Sequence, residues 1–504
     1  MDQQFDELTK SLVRSVTRHG ALEKFGFGVA ALALITSFLV PSGGTASPLG
    51  PLIELSRPNA VGTCDTGFSG PPATWTLDDT LEPFMAVNPV NPKNIVVVWI
   101  QGLLQDIIAA TTFDGGRTWQ RVPVPFTTCS GGPYLGAGDE RLCFAPNGDL
   151  YAISVVGMDM PTRGVAVCKS TDGGLHWSAP ITLAGPKGLI PADIAVITAD
   201  PVDSRYLYAI WDGSDSGHRG PAVFSRTTDG GRTWEPARVI VQTTPQDYVQ
   251  FSQLRVLPDG TVVDIYQLVD VKDSGHGIQQ SQSLQVIRSA DRGQTWSSPI
   301  HAVTMLPLYG GSQGNNLTTD PDTGQLVQDV DNQSVAGDSH GNLYAVWGDG
   351  RFSNFQYNDI AFSMSADGGF TWSVPIRVNQ TPLKIPTADR QAFLPAIAVT
   401  ATGTIGVTYY DFRFNDANPG APTDYWLARC QPASTLAPAN PANWGNEIRL
   451  TDSSFDLESC GTIVGSFYLG DYFGLDTVGS DFVCAFTQVD RDSVTSIFFR
   501  RIGK

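Results

Sequence analysis

Ser365-Ala366-Asp367-Gly368-Gly369-Phe370-Thr371-Trp372 is the stretch whose reading decides the fold, because it recurs. Thr112 to Trp119 reads T-F-D-G-G-R-T-W and Ser170 to Trp177 reads S-T-D-G-G-L-H-W. Thr227 to Trp234 reads T-T-D-G-G-R-T-W and Ser289 to Trp296 reads S-A-D-R-G-Q-T-W. The aspartates Asp114, Asp172, Asp229, Asp291 and Asp367 follow one another at intervals of 58, 57, 62 and 76 residues. A fixed internal spacing repeated at such intervals marks a solenoid or a propeller. One copy reads as a hairpin corner. The Asp accepts from backbone N–H groups just after it, a Gly two residues on takes positive φ freely, and the Trp offers an apolar plate to the next sheet.

Alternating apolar runs flank each copy, and they can be counted as strand units. First strands begin near Glu82, Asp139, Asp193, Gln250, Asp331, Arg390 and Asp471. Second strands follow after a turn, as in I-V-V-V-W ending at Trp99 or L-Y-A-V-W ending at Trp347. The expected fold is therefore all-β: a β-propeller of four-stranded blades, seven by strand count, with six as the alternative. The sixth unit lacks the repeat motif. The seventh ends after its third strand, and Leu52 to Arg57 (L-I-E-L-S-R) is the candidate for its missing outer strand. Closure from the other terminus would protect the sheet edges.

The repeats resemble the Asp-box (BNR) motif of sialidases and related β-propellers, over roughly residues 80 to 504. That resemblance implies an exported glycoside hydrolase of exo-α-sialidase type acting on extracellular glycans. Such enzymes hold a carboxylate with three arginines, since guanidinium forks match carboxylates. They use a Tyr nucleophile activated by a Glu, with an Asp as acid/base. The family carries Arg-Ile-Pro in its first blade and has six blades. This chain has Glu82-Pro83-Phe84 at that place and counts seven. A non-catalytic scaffold binding a glycan or protein partner is the alternative, and a third reading is a propeller glycosidase working with a carboxylate pair.

Propeller topology puts strand-one starts and strand-two ends around one mouth, and the Asp boxes on the opposite face near the rim. The five box aspartates are thus expected to be structural. The mouth collects Glu82, Asp139, Glu140, Arg141, Asp193, Asp331, Arg390, Asp471 and Tyr472 from the starts, and Asp212, Asp349, Arg351, Asp411 and Arg413 from the ends. By position, the catalytic candidates are Asp139 as acid, Tyr472 or Tyr468 as nucleophile, and Glu82. The substrate-binding candidates are Arg141, Arg351, Arg390, Arg413, Asp193 and Asp411.

Composition narrows the partners. With 32 basic against 50 acidic residues the net charge is −18. No basic patch is available to release phosphate counterions, so nucleic acid is excluded. No nucleophile elbow, P-loop or H-E-x-x-H motif is present. No cofactor is expected, with calcium held by channel carboxylates as the one alternative. A glycan partner and a monomer are expected.

Residues 1 to 46 read as an export signal or a single membrane anchor. Phe25 to Val40 is an apolar run too short for an ordinary span and long enough for a signal core. The protein is thus expected to be secreted or anchored outside the cytoplasmic membrane. Residues 47 to 80 read as a linker and 81 to 504 as the propeller. Of seven cysteines, Cys129 with Cys143, or Cys430 with Cys460, are pairs that could form disulfides in an exported protein.

Overall fold

The computed structural model describes residues 48–503, apart from 68–73, 103, 158–162, 185–191, 216–217, 274–277, 311–314, 330–332, 417 and 432–436. The export or anchor segment and Asp331 lie outside the described residues. Among those described, no helix is long and apolar enough to cross a membrane.

The described residues form eight sheets and almost no helix. Seven share one plan of four antiparallel strands, which follow in sequence order in six of them, while the seventh completes its three C-terminal strands with one from the N-terminal side. Their first strands are Thr80–Val87, Gly136–Phe144, Ala192–Ala199, Asp247–Val256, Ser334–Gly337, Ala392–Val399 and Gly474–Val478. Each agrees with a strand start read from the sequence. The eighth sheet was not foreseen. It joins Tyr309–Gly310, Asn315–Thr319 and Leu326–Asp329 to Thr462–Ile463 and Ser466–Phe467.

Burial on both faces explains the long apolar runs. In Ile95–Gln101, alternate side chains enter different cores, as the period of two requires. Val96, Val98 and Ile100 pack against the second sheet, whereas Ile95, Val97 and Trp99 pack against the seventh. The same division repeats around the molecule. Separate cores join sheets one and two, two and three, three and four, four and five, five and six, six and seven, and finally seven and one.

The seventh sheet takes its outer strand from the N-terminal side, where Ile53 pairs with Phe499 and Glu54 with Phe498. That strand covers an edge which would otherwise offer unpaired backbone groups. Gly50 N–H adds a bond to the Arg501 carbonyl at 2.8 Å. The disulfide differs from both expected pairs. It joins Cys64 to Cys129, a sequence separation of 65, while Cys143, Cys430 and Cys460 are free thiols. Spacing along the chain misled here, because the N-terminal segment returns to the loop after the first sheet.

Each Asp box is a closed hydrogen-bonded corner. In the first, Asp114 Oδ1 accepts from Arg117 N–H at 2.9 Å and Thr118 N–H at 3.0 Å, and Oδ2 accepts from the Thr118 hydroxyl at 2.7 Å. Thr112 Oγ1 receives the Gly116 N–H at 3.1 Å. Gly116 has φ +99°, and a Cβ there would lie 2.4 Å from the Phe499 ring of the neighbouring sheet. Trp119 packs edge-on to the same Phe499 at 4.9 Å between centroids. The corner thus seats one sheet on the sheet before it. In the sixth sheet, which has no box, Trp444 fills the same role against Phe362 at 4.9 Å.

Candidate functional site

The first strands of five sheets carry the same irregularity near their starts. Register slips between Leu81 and Phe84, Gly138 and Arg141, Asp193 and Ala195, Gln250 and Gln253, and Phe393 and Ala396. Each slip holds a non-glycine residue at positive φ: Glu82 (55°), Asp139 (52°), Ile194 (40°), Phe251 (55°) and Leu394 (52°). A bulge re-aims the side chains next to it and costs backbone strain. Two of these bulges carry carboxylates and three carry buried apolar groups. The bulges of sheets one and two thus present carboxylates, and those of sheets three, four and six present apolar side chains.

On the polar side the carboxylates gather. Glu82 Oε1 accepts from the Tyr468 hydroxyl and from the Asp471 N–H, the latter at 3.2 Å. Trp75 stacks on Tyr468 with centroids 5.3 Å apart and planes 13° from parallel. The Arg141 guanidinium lies over the Tyr472 ring, 3.0 Å from its centroid, and 4.9 Å from that of Phe84. It also donates to the Glu140 carbonyl at 3.1 Å. Asp193 pairs with Arg163 at 2.9 Å. Glu140 is fully buried, and neither carboxyl oxygen has a hydrogen-bond partner among the described residues.

This crowding decides protonation. Burial, then the charges of Glu82 and Asp193, push Asp139 up to about 8. Burial followed by Glu82 raises both Glu140 and Asp471 well above the usual carboxylate range. Glu82 itself is raised by burial, opposed by the Tyr468 hydroxyl and by Arg141. Burial also raises the Tyr468 and Tyr472 phenols. At neutral pH the mouth thus contains carboxylic acids that can donate a proton beside a carboxyl group held by a phenol.

The structure brings Glu82, Asp139, Arg141, Asp193, Tyr468, Asp471 and Tyr472 into one electrostatic cluster. The other arginines do not join it. Arg351 is held by its own neighbour, with Nε 2.8 Å from Asp349 Oδ1 and Nη2 2.7 Å from Oδ2. Arg413 lies between Asp411 and Glu447, with Nε 2.8 Å from Asp411 Oδ2 and Nη2 2.9 Å from Glu447 Oε1, and it stacks on Trp426 at 3.7 Å. Arg390 Nε donates to the Ile385 carbonyl at 2.8 Å. Asp411 is buried and accepts from Thr381 Oγ1 at 2.7 Å. Of the four arginines expected by position, Arg141 alone enters the cluster. A D-x-R spacing on one loop lets the two side chains satisfy each other.

Asp212 Oδ2 receives the Phe251 N–H at 2.6 Å, so a strand-two end holds the bulge of the next sheet. Sequence reasoning missed Arg163 and Trp75. Arg163 opens a third strand and would have appeared had strand-three starts been collected. Trp75 lies in the linker, where no motif marks it. Among the described residues no group of three or more His, Cys, Asp or Glu side chains is placed to hold a metal ion.

No protein-family model matches the chain, and no curated protein matches it. Solved structures do. The α-L-arabinofuranosidase of Fusarium graminearum with arabinobiose aligns at 12% identity over 91% of this chain and 98% of that one, with a TM-score of 0.45. A Hadza microbial sialidase aligns at 15% identity over 81% and 73%, at 0.45. An ulvan lyase aligns at 11% identity over 86% and 96%, at 0.46. Each is named for a reaction on a saccharide.

Proposed function

We propose that the chain is an exported seven-bladed propeller glycoside hydrolase whose chemistry sits at the polar half of the mouth. Asp139, neutral at pH 7, is the general acid that protonates the departing glycosidic oxygen. Glu82, held by Tyr468, is the paired carboxylate, and Tyr472 lies under Arg141 beside it. The observation that carries this reading is Asp139 raised to about 8 in the field of Glu82, whose charged form the Tyr468 hydroxyl and Arg141 favour against its own burial. The sialidase-type version requires guanidinium groups for the substrate carboxylate. Arg351 and Arg413 are engaged with Asp349, Asp411 and Glu447. A glycan neutral at its point of attack therefore fits better than a sialoside.

Purified protein assayed on a fluorogenic sialoside and a panel of neutral glycosides tests the reading. Release from a neutral glycoside is expected. Its kcat/KM should fall as pH rises through about 8, because the acid must carry its proton, and Asp139→Asn should abolish that limb. No release from any glycoside above a heat-killed control would overturn it. The burial of Glu82 and Glu140 favours a second reading, a non-catalytic scaffold that binds a partner over this face. Retention on a glycan array without hydrolysis would select it.

A further inference from the structure

Below the mouth, the seven first strands and the residues entering them enclose a cavity of about 140 Å³. Its lining contains two charged side chains, Arg141 and Arg255, and no carboxylate. Thr198, Gln253, Ser334 and Tyr472 add neutral polar groups, and the remainder is largely apolar. Two guanidinium groups facing a small enclosed space carry a desolvation cost unless something of opposite charge meets them.

The protein's own carboxylates leave that demand partly unmet. Those nearest Arg141 are Glu82, Asp139 and Glu140, which belong to the mouth and are pushed toward their neutral forms by burial. Arg255 feels Asp476 alone among the acidic groups, and burial brings its guanidinium down to about 10. Asp476 accepts instead from the N–H groups of Val87 at 2.9 Å and Thr477 at 2.7 Å. Arg141 donates one bond to the Glu140 carbonyl, and Arg255 donates to the carbonyls of Leu254 and Val335. A guanidinium has five N–H donors, so both retain donors for an occupant.

We propose that the cavity binds a small anion, a tetrahedral oxyanion or a short carboxylate, between Arg141 and Arg255. Planar donor forks suit such oxygens. The site shares Arg141 and Tyr472 with the carboxylate cluster above it, adds Arg255, and does not depend on whether the mouth is catalytic. Its test uses binding and stability rather than turnover.

The full chain, dialysed into sodium gluconate at constant ionic strength, is titrated with sodium sulfate and separately with sodium acetate. Calorimetry should report a single site per chain for at least one of them. The thermal midpoint should rise and then follow the logarithm of anion concentration, as ligand binding to the native state requires. Arg255→Met should lose that rise, while Arg232→Ala, an exposed arginine in an Asp box, should keep it. A midpoint rise shared equally by Arg255→Met would overturn the proposal as general salt stabilisation. So would the absence of any saturable heat in the wild-type protein, a result that stands even if Arg255→Met does not fold.

Discussion

Two sets of carboxylates sit in this molecule and respond to it in opposite ways. Among the Asp-box aspartates Asp172 and Asp367 are exposed, Asp114, Asp229 and Asp291 are half-buried, and all five are held by hydrogen bonds of their own corner. The backbone N–H and then the hydroxyl of Thr118 hold Asp114 well below the usual range, and the Thr295 hydroxyl does the same for Asp291. Of the mouth carboxylates, Glu82 and Glu140 are buried and Asp139 and Asp471 half-buried; they crowd one another, and Asp139, Glu140 and Asp471 are all raised. The repeated motif therefore marks where charge is already satisfied by the fold. The groups with unsatisfied chemistry have no motif in common. They share only the position of a first strand's opening, where bulges turn polar side chains inward.

Asp139→Asn gives the largest contrast. Loss of a positioned general acid should lower kcat by about 10² to 10⁴. Stability should move the other way. A carboxyl raised in the folded state has a proton that the unfolded chain lacks, so it opposes folding increasingly as pH climbs from about 4 to about 8. Asn removes that opposition. The variant's thermal midpoint should exceed the wild type's by a margin that widens across this window. Equal margins at both ends would mean that the mouth is wetter than its burial implies, and the contrast with the boxes would fail. Arg413→Ala comes next. It strands Asp411 and Glu447, both poorly exposed, and breaking such a buried pair costs about 3–5 kcal/mol. Chemical denaturation should register that loss with kcat/KM unchanged at a temperature where the variant is folded. Loss of activity in folded Arg413→Ala would place the arginine in the site after all.

The legible and illegible parts of the sequence divide along the same line. Strand units could be counted because second strands such as Ile95–Gln101, Leu343–Asp349 and Ile405–Asp411 are buried on both faces and so read as nearly unbroken apolar runs. The outer strand at Ile53–Glu54 could be placed because a sheet three strands wide leaves an exposed edge. The eighth sheet was missed because its strands are short and come from two distant segments. The Cys64–Cys129 bond was missed because only the folded path of the N-terminal segment brings those residues together. Within the mouth, position along each unit collected Glu82, Asp139, Arg141 and Tyr472. It also collected Arg351 and Arg413, because position says where a side chain starts and not what it meets. Whether a guanidinium turns to a ligand or to its own loop carboxylate depends on rotamers that carry no sequence signal.

Asp229→Ala carries the smallest expected effect and tests the other half of the contrast. Its carboxylate accepts from Arg232 N–H at 3.0 Å, Thr233 N–H at 3.0 Å and the Thr233 hydroxyl at 2.6 Å. These are the bonds of a capping carboxylate, whose removal costs about 1 kcal/mol. A carboxylate depressed in the folded state adds stability above its unfolded value of about 4 and loses it as pH falls through the lower folded value. Asp229 is lowered in this way. The difference between wild type and variant should therefore be present at pH 7 and shrink toward pH 2, the reverse of the trend at Asp139. Activity should not change, because the box lies at the corner that seats one sheet on another, away from the first-strand openings. A loss of turnover without loss of stability would mean that the boxes reach the mouth through the sheets, and that the two sets of carboxylates form one system.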